Sequence, residues 1–491
     1  MDKYDVIVIG GGLLGCFAAR SLTRYNLNVA LLERSSDLCT GISRANTAIV
    51  YSGCDTKPGT RKTDMCVRAA QNFPALCEGL SVRYSPCGSI MAAFGERANN
   101  VLQQKLDQGL QNGVRGIRLL SPREVLRLEP NLAPGVLSGL FVPDTGTVMP
   151  WELCFAAAEN AAHNGAQIIL NSEVTAISRT DGGFCVRTGG GQFVTRAIVN
   201  CAGMNSDKIL EMIADPIVRI APSAGDYFVL DTKAQGHINH VIFHEPEEKG
   251  KGITFVPTVD GNILIGPTER PYSGAPDEGW ATSLDGLAQL RKLAAEIMPG
   301  LPMEHVIRSF GAFRPNPRYT SDDKSINDFC IIESAHEPFI SLVGIKTPGL
   351  TCANELGLYV SDKIAAKLNA GPNPDFNPRR ESPVRPNELS FESRVKLLRD
   401  NPDYARIICR CRGISEGEII DAIRRGPPGA VTPDGIKRRV GAGSGRCQGS
   451  FCAQRVIEIL ARELECAPED IITASGYDIR ACAACSGTRL I

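Results

Sequence analysis

The sequence predicts an α/β fold with a β-rich insertion and a small cysteine-containing domain near its C-terminal end. Strand-like and helix-like segments alternate from the N-terminus, with a glycine-rich turn after the first strand. Segments rich in β-formers, such as YFVLD and NILIGPT, replace this alternation between residues 216 and 330. Four closely spaced cysteines follow a proline-rich connector. A chain of 491 residues is long enough for two or three domains.

Composition and charge exclude several classes of function. The formal net charge of -1 offers no electrostatic attraction for nucleic acid or an anionic membrane. No apolar run reaches the roughly 20 residues that span a bilayer, and no signal peptide precedes the first strand. We therefore expect a cytoplasmic protein, peripheral to membranes only through a partner. Its 18 cysteines should be reduced thiols instead of a disulfide framework.

The first motif is a dinucleotide-binding fingerprint. Gly10, Gly12 and Gly15 fit G-x-G-x-x-G after the strand YDVIVI and at the start of an apolar-periodic helix. The first glycine permits a tight turn, the second lets the backbone approach a pyrophosphate, and the third allows close helix–strand packing. Glu33 ends the next strand, where an acidic side chain binds a ribose hydroxyl. Together these features predict a Rossmann-type nucleotide site.

Three further segments indicate which nucleotide is bound. TGISRANTAIVYSG (40–53), VNCAGMNSDKI (199–209) and GIKTPGLTCANELG (344–357) resemble motifs of one flavoprotein family. This is the FAD-dependent glycerol-3-phosphate dehydrogenase and L-2-hydroxyglutarate dehydrogenase group, within the D-amino-acid-oxidase-like flavoproteins. The resemblance covers residues 1–370 and implies bound FAD.

The resemblance also assigns residues to parts of the cofactor. It implies that the adenosine end of FAD lies against Glu33, Arg34 and Val174, and that its phosphate and flavin side is lined by Ser43, Arg44, Asn46 and Thr47. The second nucleotide motif contains Gly203. The isoalloxazine ring would be flanked by Gly344, Gly349, Leu350 and Thr351. We also predict a helix from about Ala353 to Lys367, with residues 349–351 opening it. Its free N–H groups and positive dipole end would suit the electron-rich edge of reduced flavin.

These motifs predict a Rossmann-type FAD-binding domain interrupted by a β-rich substrate domain. We assign residues 1–84, 151–215 and 331–370 to the FAD-binding domain, and residues 85–150 and 216–330 to the substrate domain. The remaining assignments are a linker over 371–402, a small cysteine-cluster domain over 403–465, and a tail over 466–491.

Two basic residues are implied by the resemblance to face the substrate. Arg314, in GAFRPNP, matches an arginine that reaches the substrate anion in relatives. Lys346, in GIKTPG, matches a lysine of the aerobic glycerol-3-phosphate dehydrogenases. A guanidinium fork and an ammonium group together would hold a phosphate or carboxylate before the flavin. Surface salt bridges are the alternative for both.

The general base is open. Tyr51 stands where relatives usually carry histidine, and a tyrosine serves as a base only if its pKa falls well below about 10. His237, His240 and His244 are alternative bases, with a plain surface or core role as the simpler interpretation of each. The substrate stays open among glycerol 3-phosphate, another hydroxy acid or polyol phosphate, and an amine.

Four cysteines near the C-terminal end form two pairs, C-x-C at Cys409 and Cys411 and C-x4-C at Cys447 and Cys452. Four thiolates are what an iron–sulfur cluster or a zinc ion requires. This segment resembles the bacterioferritin-associated ferredoxin-like domain, which implies a 2Fe–2S cluster with all four as ligands. Zinc and metal-free thiols are the alternatives.

A further C-x-x-C, Cys482 and Cys485, follows in the tail. It would complete a zinc site with Cys447 and Cys452, form a thiol redox pair, or supply a second half-site. We assign it no function.

The sequence therefore predicts an FAD-dependent dehydrogenase. A small anionic alcohol would give a hydride to the flavin, and electrons would leave through the cluster to a redox partner protein or a quinone-linked acceptor. One alternative is an electron-transfer subunit of a larger hetero-oligomeric complex, with no alcohol substrate of its own. The other is an amine or amino-acid dehydrogenase.

Overall fold

The computed structural model describes residues 2–244, 252–272, 274, 281–426 and 428–472. Its strands are β1 (Asp2–Ile9), β2 (Val29–Leu32), β3 (Ile49–Val50), β4 (Tyr84–Ser85), β5 (Ser89–Ala93), β6 (Arg118–Leu120), β7 (Ser138–Val142), β8 (Gly146–Val148), β9 (Gln167–Ile169), β10 (Val174–Thr180), β11 (Gly183–Thr188), β12 (Gly191–Asn200), β13 (Val218–Leu230), β14 (Val241–His244), β15 (Thr254–Pro257), β16 (Ile263–Gly266), β17 (Arg270–Pro271), β18 (Val306–Tyr319), β19 (Cys330–Glu333), β20 (Phe339–Val343), β21 (Ile407–Cys409) and β22 (Ile414–Ser415). Its helices are α1 (Leu13–Leu22), α2 (Arg61–Leu80), α3 (Glu96–Gln111), α4 (Pro122–Leu128), α5 (Pro150–His163), α6 (Ser206–Glu211), α7 (Leu284–Ile297), α8 (Ala353–Leu368), α9 (Phe391–Asp400), α10 (Glu416–Arg424), α11 (Pro433–Val440) and α12 (Ala453–Glu463). Cys482 and Cys485 lie outside the described residues.

The first sheet has eight strands and contains the predicted nucleotide fold. Its strands run in the order β10-β11-β12-β1-β2-β9, and β20 and then β19 branch from β12. β1 is parallel to both β2 and β12. Val6 and Val8 join the same core as Phe17 of α1, whereas Ile7 and Ile9 join a second core. Burial on both faces explains the uninterrupted apolar run of the first strand.

Helices α5 and α8 both pack on α1. The contact between α1 and α8 is close, because a Cβ atom on Gly357 would meet the backbone oxygen of Phe17 at 2.6 Å. Among the helices in the part of the chain that the structure describes, none has both the length and the apolar composition needed to span a bilayer.

The second sheet has nine strands and forms the β-rich domain. Its order is β17-β13-β16-β15-β14-β5-β7-β6, with β18 paired to β13. β13 and β18 are antiparallel from Val218 opposite Tyr319 to Leu230 opposite Val306. Helix α7 packs against β13. Strands β3, β4 and β8 form a separate small sheet.

A small domain follows, in which the β21–β22 hairpin packs with α10, α11 and α12. Ile419, Ile436 and Leu460 are fully buried in a core of its own. Ser415 and Glu418 form a capping box that begins α10, so the backbone N–H groups of its first turn are satisfied.

The predicted linker is packed against the main body. The backbone N–H of Arg380 donates to the oxygen of Gly79 at 2.9 Å, and its guanidinium group binds Glu159 at 2.7 Å. Helix α9 lies within the same segment. The segment whose composition predicts a linker is therefore packed against the main body, and its own arginine side chains help to hold it there.

Buried carboxylates of the main body bind the small domain. Asp37, 1% exposed, accepts hydrogen bonds from Arg438 at 2.6 Å and from Arg439 at 2.8 Å. Although burial opposes the effect, the guanidinium groups of Arg439 and Arg438 lower the pKa of Asp37. The Arg439 guanidinium also lies 3.8 Å from the ring centroid of Phe155.

Two more carboxylates repeat this arrangement. Glu159 binds Arg425 of the small domain at 2.7 Å in addition to Arg380 of the connector. Asp260 of the substrate domain binds Arg412 at 3.1 Å. Carboxylates at separate points of the chain, Asp37, Glu159 and Asp260, therefore bind the small domain to both parts of the main body.

Candidate cofactor groove and cysteine site

A cavity of about 1470 Å³ opens where the carboxyl ends of β1, β2 and β12 approach the second sheet. Ligands of open parallel sheets bind at this edge. Most of the predicted site residues line the cavity, namely Gly10, Gly12, Glu33, Arg34, Ser43, Arg44, Asn46, Thr47, Tyr51, Val174, Gly203, Arg314, Lys346, Gly349 and Leu350.

The glycine loop forms the floor of this groove. Gly10 has a φ of 106°, and a Cβ atom there would meet the oxygen of Cys201 at 2.6 Å. Gly12 is the N-cap of α1, and the N–H of Leu13 donates to Ser43 Oγ at 2.9 Å. The helix therefore presents its positive end to the groove, which suits a pyrophosphate.

Glu33 stands at the end of β2 with its carboxylate held in place. Gly11 N donates to Oε2 at 2.6 Å, and Ser35 N donates to Oε1 at 2.9 Å. The residue is 8% exposed and lines the groove beside Arg34 and Val174. A fixed carboxylate in this position suits the hydroxyl groups of a ribose, so the groove fits the adenosine end of FAD.

Three predicted residues support the groove without lining it. A Cβ atom on Gly15 would lie 1.8 Å from the oxygen of Gly10. Gly344 has a φ of 60° and lies against the backbone of β18. The buried hydroxyl of Thr351 accepts from the N–H of Tyr51 at 2.9 Å. Each of the three lets two segments that border the cavity come into close contact.

The helix predicted from about Ala353 is confirmed, but residues 349–351 do not form its first turn. Gly349 N donates to the oxygen of Lys346 at 2.7 Å, and Cys352 N donates to the oxygen of Pro348 at 3.0 Å. These bonds form a turn, and α8 begins only at Ala353. The turn, and not the first turn of the helix, faces the groove.

Basic residues gather at the other end of the groove. Arg314 extends from β18, is 16% exposed and lies 3.4 Å from the carboxylate of Glu269. Lys346 follows β20, and its ammonium group donates to Asn316 Oδ1 at 2.9 Å. Burial and the nearby positive charges of Lys62 and Arg314 lower the pKa of Lys346. Both predicted residues therefore line one partly buried, electropositive cavity wall.

Tyr51 does not meet the condition for a general base. Burial, together with the charge of Asp55, raises the pKa of its hydroxyl, although a hydrogen bond with Thr47 acts in the opposite direction. A phenol that ionises less readily than usual cannot accept a substrate proton near neutral pH.

The three histidines considered as general bases lie in different environments. His240 Nδ1 binds Glu129 at 2.7 Å, and His237 Nδ1 lies 2.9 Å from the oxygen of Ala234. His244, at the end of β14, lines the groove with Phe243. The structure therefore brings one of the three to the cofactor groove.

An aromatic pair beside the groove was not predicted from the sequence. Tyr227 lines the groove, and its ring stacks on Phe310 with centroids 4.6 Å apart and an interplanar angle of 5°. The two residues lie on β13 and β18, and the pairing register of these strands brings them together. Their spacing along the chain carries no signal of this contact.

The four predicted cysteine ligands come together in the small domain. The sulfur atoms of Cys411 and Cys447 are 3.5 Å apart, and the thiol of Cys452 interacts with that of Cys409. Cys409 and Cys452 are buried, whereas Cys411 and Cys447 are half-buried. The quartet is thus arranged as two neighbouring pairs.

This arrangement fits a 2Fe–2S cluster, in which each iron takes two thiolates. Within the described ranges, no group of three or more His, Cys, Asp or Glu side chains surrounds a single metal position. Although burial opposes it, hydrogen bonds from Cys411 and from the N–H groups of Gly449 and Phe451 lower the pKa of Cys447. These N–H groups favour the thiolate that a cluster needs.

Comparison with known proteins assigns both parts of the chain. Residues 5–363 match the family of FAD dependent oxidoreductases, and residues 407–462 match the BFD-like 2Fe-2S binding domain. The chain is 39% identical over 466 residues to glycerol 3-phosphate dehydrogenase of Caloramator mitchellensis, with 94% of each chain covered. These matches confirm the predicted fold class and both predicted cofactors.

Two Mycoplasma pneumoniae comparisons cover about three quarters of this chain. Glycerol 3-phosphate oxidase of that organism is 29% identical over 387 residues, covering 76% of this chain and 97% of the oxidase. The dithionite-reduced, FAD-bound structure of L-alpha-glycerophosphate oxidase has a TM-score of 0.71 and 27% identity, covering 78% of this chain and 100% of the oxidase. The oxidase thus has no counterpart to a substantial part of this chain.

Proposed function

Because the chain belongs to the FAD-dependent oxidoreductase family, we propose that it is a dehydrogenase of glycerol 3-phosphate whose electrons leave through the 2Fe–2S domain. The observation that carries this proposal is the pairing of Arg314 and Lys346 on one wall of the cofactor groove. The similarity to the Caloramator mitchellensis dehydrogenase over nearly the whole chain supports the same substrate.

The two basic groups would bind the phosphate of the substrate. Arg314 offers a planar fork of N–H donors, and Lys346 offers a point charge. Lys346 is partly desolvated and has positive neighbours, so a dianionic phosphate relieves the repulsion that lowers its pKa. This fixes one end of the substrate and leaves its carbinol carbon free to lie over the flavin.

Bound in the groove, FAD would supply a hydride acceptor for the carbinol carbon, and a 2Fe–2S cluster held by the four cysteines would supply a one-electron carrier. We propose that His244 takes the hydroxyl proton. It lines the groove, and histidine is the side chain whose ordinary pKa suits proton transfer near neutral pH. Tyr51, with its raised pKa, is left to fill space beside Thr47.

The cysteine quartet is accessible from outside. Cys447 and Cys411 are half-buried, and Phe451, in the turn between Cys447 and Cys452, is 85% exposed. We propose that an external redox protein or a quinone-linked acceptor takes electrons at this surface. The free thiols among the described cysteines support a reducing, cytoplasmic location.

Anaerobic spectroscopy of the protein carrying both cofactors tests the substrate. Glycerol 3-phosphate should bleach the flavin bands and then reduce the cluster, whereas L-2-hydroxyglutarate and small amines should act much more slowly. Arg314→Gln should lower kcat/KM by about a hundredfold, because one charge-assisted contact to phosphate is lost. An exposed arginine of α9, changed in Arg399→Gln, is the matched control.

A second variant tests the reduction of the flavin separately from the transfer of electrons to an acceptor. Cys447→Ser should still bleach its flavin with glycerol 3-phosphate but should not reduce a one-electron acceptor protein. If no alcohol reduces the flavin of the unmodified protein, while a partner protein reduces it rapidly, the chain is instead an electron-transfer subunit. Rapid reduction by an amine alone would assign it to the amine dehydrogenases.

A further inference from the structure

Two arginines flank the half-buried cysteine pair of the small domain. Arg412 directly follows Cys411, and Arg446 directly precedes Cys447. A Cβ atom on Gly445 would meet Cys411 Cβ at 2.4 Å and Arg412 Cδ at 3.6 Å. The Arg412 side chain therefore runs close to Cys411 and to the segment that leads to Cys447.

The guanidinium group of Arg412 is held by a turn of the substrate domain. Its Nη2 atom lies 3.1 Å from Asp260 Oδ1. Its Nη1 atom donates to the backbone oxygen of Asp260 at 3.3 Å and to Asn262 Oδ1 at 3.4 Å. The side chains of Arg412 and Asp260 are 15% and 14% exposed, so solvent screens their charges only in part. Two neutral oxygen atoms therefore hold this arginine in addition to the carboxylate.

The carboxylate of Asp260 has a second cationic partner. Arg83 of the main body binds Asp260 Oδ1 at 2.6 Å, so the carboxylate keeps a partner when Arg412 is changed. Arg446 is in a different environment, because its side chain is 56% exposed and lies 3.8 Å from Asp231. Of the two arginines beside the cysteine pair, Arg412 thus carries the charge that solvent screens less.

We propose that Arg412 and Asp260 together set the reduction potential of the 2Fe–2S cluster at the four cysteines. Four thiolates and two sulfides give the oxidised cluster a net negative charge, and one electron from the reduced flavin increases it. No bond forms or breaks and no proton is transferred in this step. The guanidinium group of Arg412 favours the reduced state, whereas the carboxylate of Asp260 opposes it. The proposal rests on the electron exit of the proposed function and adds two residues that control it.

The signs of the two effects distinguish this role from a purely structural one. If the pair only held the small domain in place, loss of either partner would have the same consequence, because both changes break one contact. A charge effect requires opposite consequences, because Arg412→Gln removes a cation and Asp260→Asn removes an anion. In Asp260→Asn, the backbone oxygen of residue 260 and the side chain of Asn262 still hold Arg412 in position.

Redox titration of the protein carrying FAD and iron tests the proposal, with dithionite as the reductant and electron paramagnetic resonance to follow the reduced cluster. Arg412→Gln should lower the midpoint potential of the cluster by about 30 mV, which is a change of about threefold in its one-electron equilibrium. Asp260→Asn should raise the potential by a similar amount. Arg412→Lys keeps the positive charge and should restore most of the potential that Arg412→Gln loses.

Arg424→Gln is the matched control. It removes an arginine of the same domain that is 70% exposed and pairs with Glu463 at 2.7 Å. Glu463 ends α12, about 16 Å along the helix from its N-cap residue Cys452. The potential of this variant should equal that of the unmodified protein. Iron and flavin content should also be unchanged in every variant, which separates a change of potential from a loss of the fold.

Opposite shifts in Arg412→Gln and Asp260→Asn are the result expected. Shifts of the same sign, or an unchanged potential in either variant, would overturn the proposal. If Arg412→Gln lost its iron, Asp260→Asn would decide alone, and a potential that did not rise would contradict the assignment. The titration uses no alcohol, so a failure of glycerol 3-phosphate to bleach the flavin would count against the proposed function and not against this pair.

Discussion

Glu33 and Asp37 are neighbouring carboxylates in the loop after β2, and both are nearly inaccessible to solvent. Glu33 accepts from backbone N–H groups and faces the cofactor groove. Asp37 accepts from two guanidinium groups of the small domain. The same chemical group therefore prepares a ligand site in one place and closes a domain junction in the other. The hydrogen-bond partners of each carboxylate decide its role. Neutral N–H groups leave the carboxylate of Glu33 able to bind a ligand hydroxyl, whereas two guanidinium groups neutralise the carboxylate of Asp37 and occupy its oxygens.

The two regions differ in the same way over their whole extent. The groove is shaped by backbone segments that approach one another closely at glycine residues, so its shape depends on the absence of side-chain volume at those positions. The junction is held by arginine–carboxylate pairs, so it depends on charge.

Gly15→Val should abolish FAD binding. A Cβ atom at this position would lie 1.8 Å from the oxygen of Gly10, so the turn that receives the pyrophosphate cannot keep its shape. The purified variant should contain iron but no flavin, as measured by its absorption spectrum and iron analysis. Gly135→Ala is the control, because its Cβ atom meets nothing within 4 Å. Normal flavin content in Gly15→Val would show that the groove does not depend on this close contact.

Asp37→Asn should detach the small domain from the body. Removing one partner of a buried ion pair costs about 3–5 kcal/mol, because Arg438 and Arg439 keep their charge without a carboxylate. Limited proteolysis should cut the connector faster, and denaturant unfolding should show an earlier transition. Asp362→Asn removes an exposed partner of Arg24, 58% accessible, and should cost at most about 1 kcal/mol. Equal behaviour of the two variants would contradict the proposed role of Asp37.

Acid should weaken the junction before it affects the groove. The arginines lower the pKa of Asp37 and of Glu159 in the folded protein, against the effect of burial. Their stabilising contribution is therefore complete above the unfolded pKa of about 4 and is lost as the pH falls through the lower folded value. The proteolysis rate of the connector should rise below about pH 4 in the unmodified protein. Asp37→Asn should show a smaller change over the same range, and an identical change would be against this explanation.

Tyr51→Phe should have the smallest effect, changing kcat by less than about threefold and leaving its pH profile in place. The raised pKa of Tyr51 means that its hydroxyl stays protonated through the working range. His244→Gln should lower kcat by about a hundredfold or more and remove the acidic limb of the profile. A large loss in Tyr51→Phe with little change in His244→Gln would reverse the assignment of the base.

Local motifs made the groove and the quartet predictable. The glycines, Glu33 and the four cysteines have functions that depend on short-range backbone geometry, so the pattern of neighbouring residues carries the information. The position of α8 was predictable as well, but not the turn before it, in which Gly349 and Cys352 donate to the backbone oxygens of Lys346 and Pro348.

Contacts between distant segments could not be predicted in this way. Nothing near Arg438 indicates that it meets Asp37, and the stack of Tyr227 on Phe310 follows only from the register of two long strands. The raised pKa of Tyr51 is likewise a result of burial, which the sequence does not state.

The sequence by itself predicted a nucleotide site at a glycine loop and, through a resemblance, a cluster site at two cysteine pairs, because each motif consists of residues close together in the chain. The tertiary structure alone decided where the small domain sits and which histidine reaches the groove. These features depend on contacts between residues that are far apart in the chain. The free energy of a charged side chain depends on its burial and on the charges next to it, and only the folded structure fixes both.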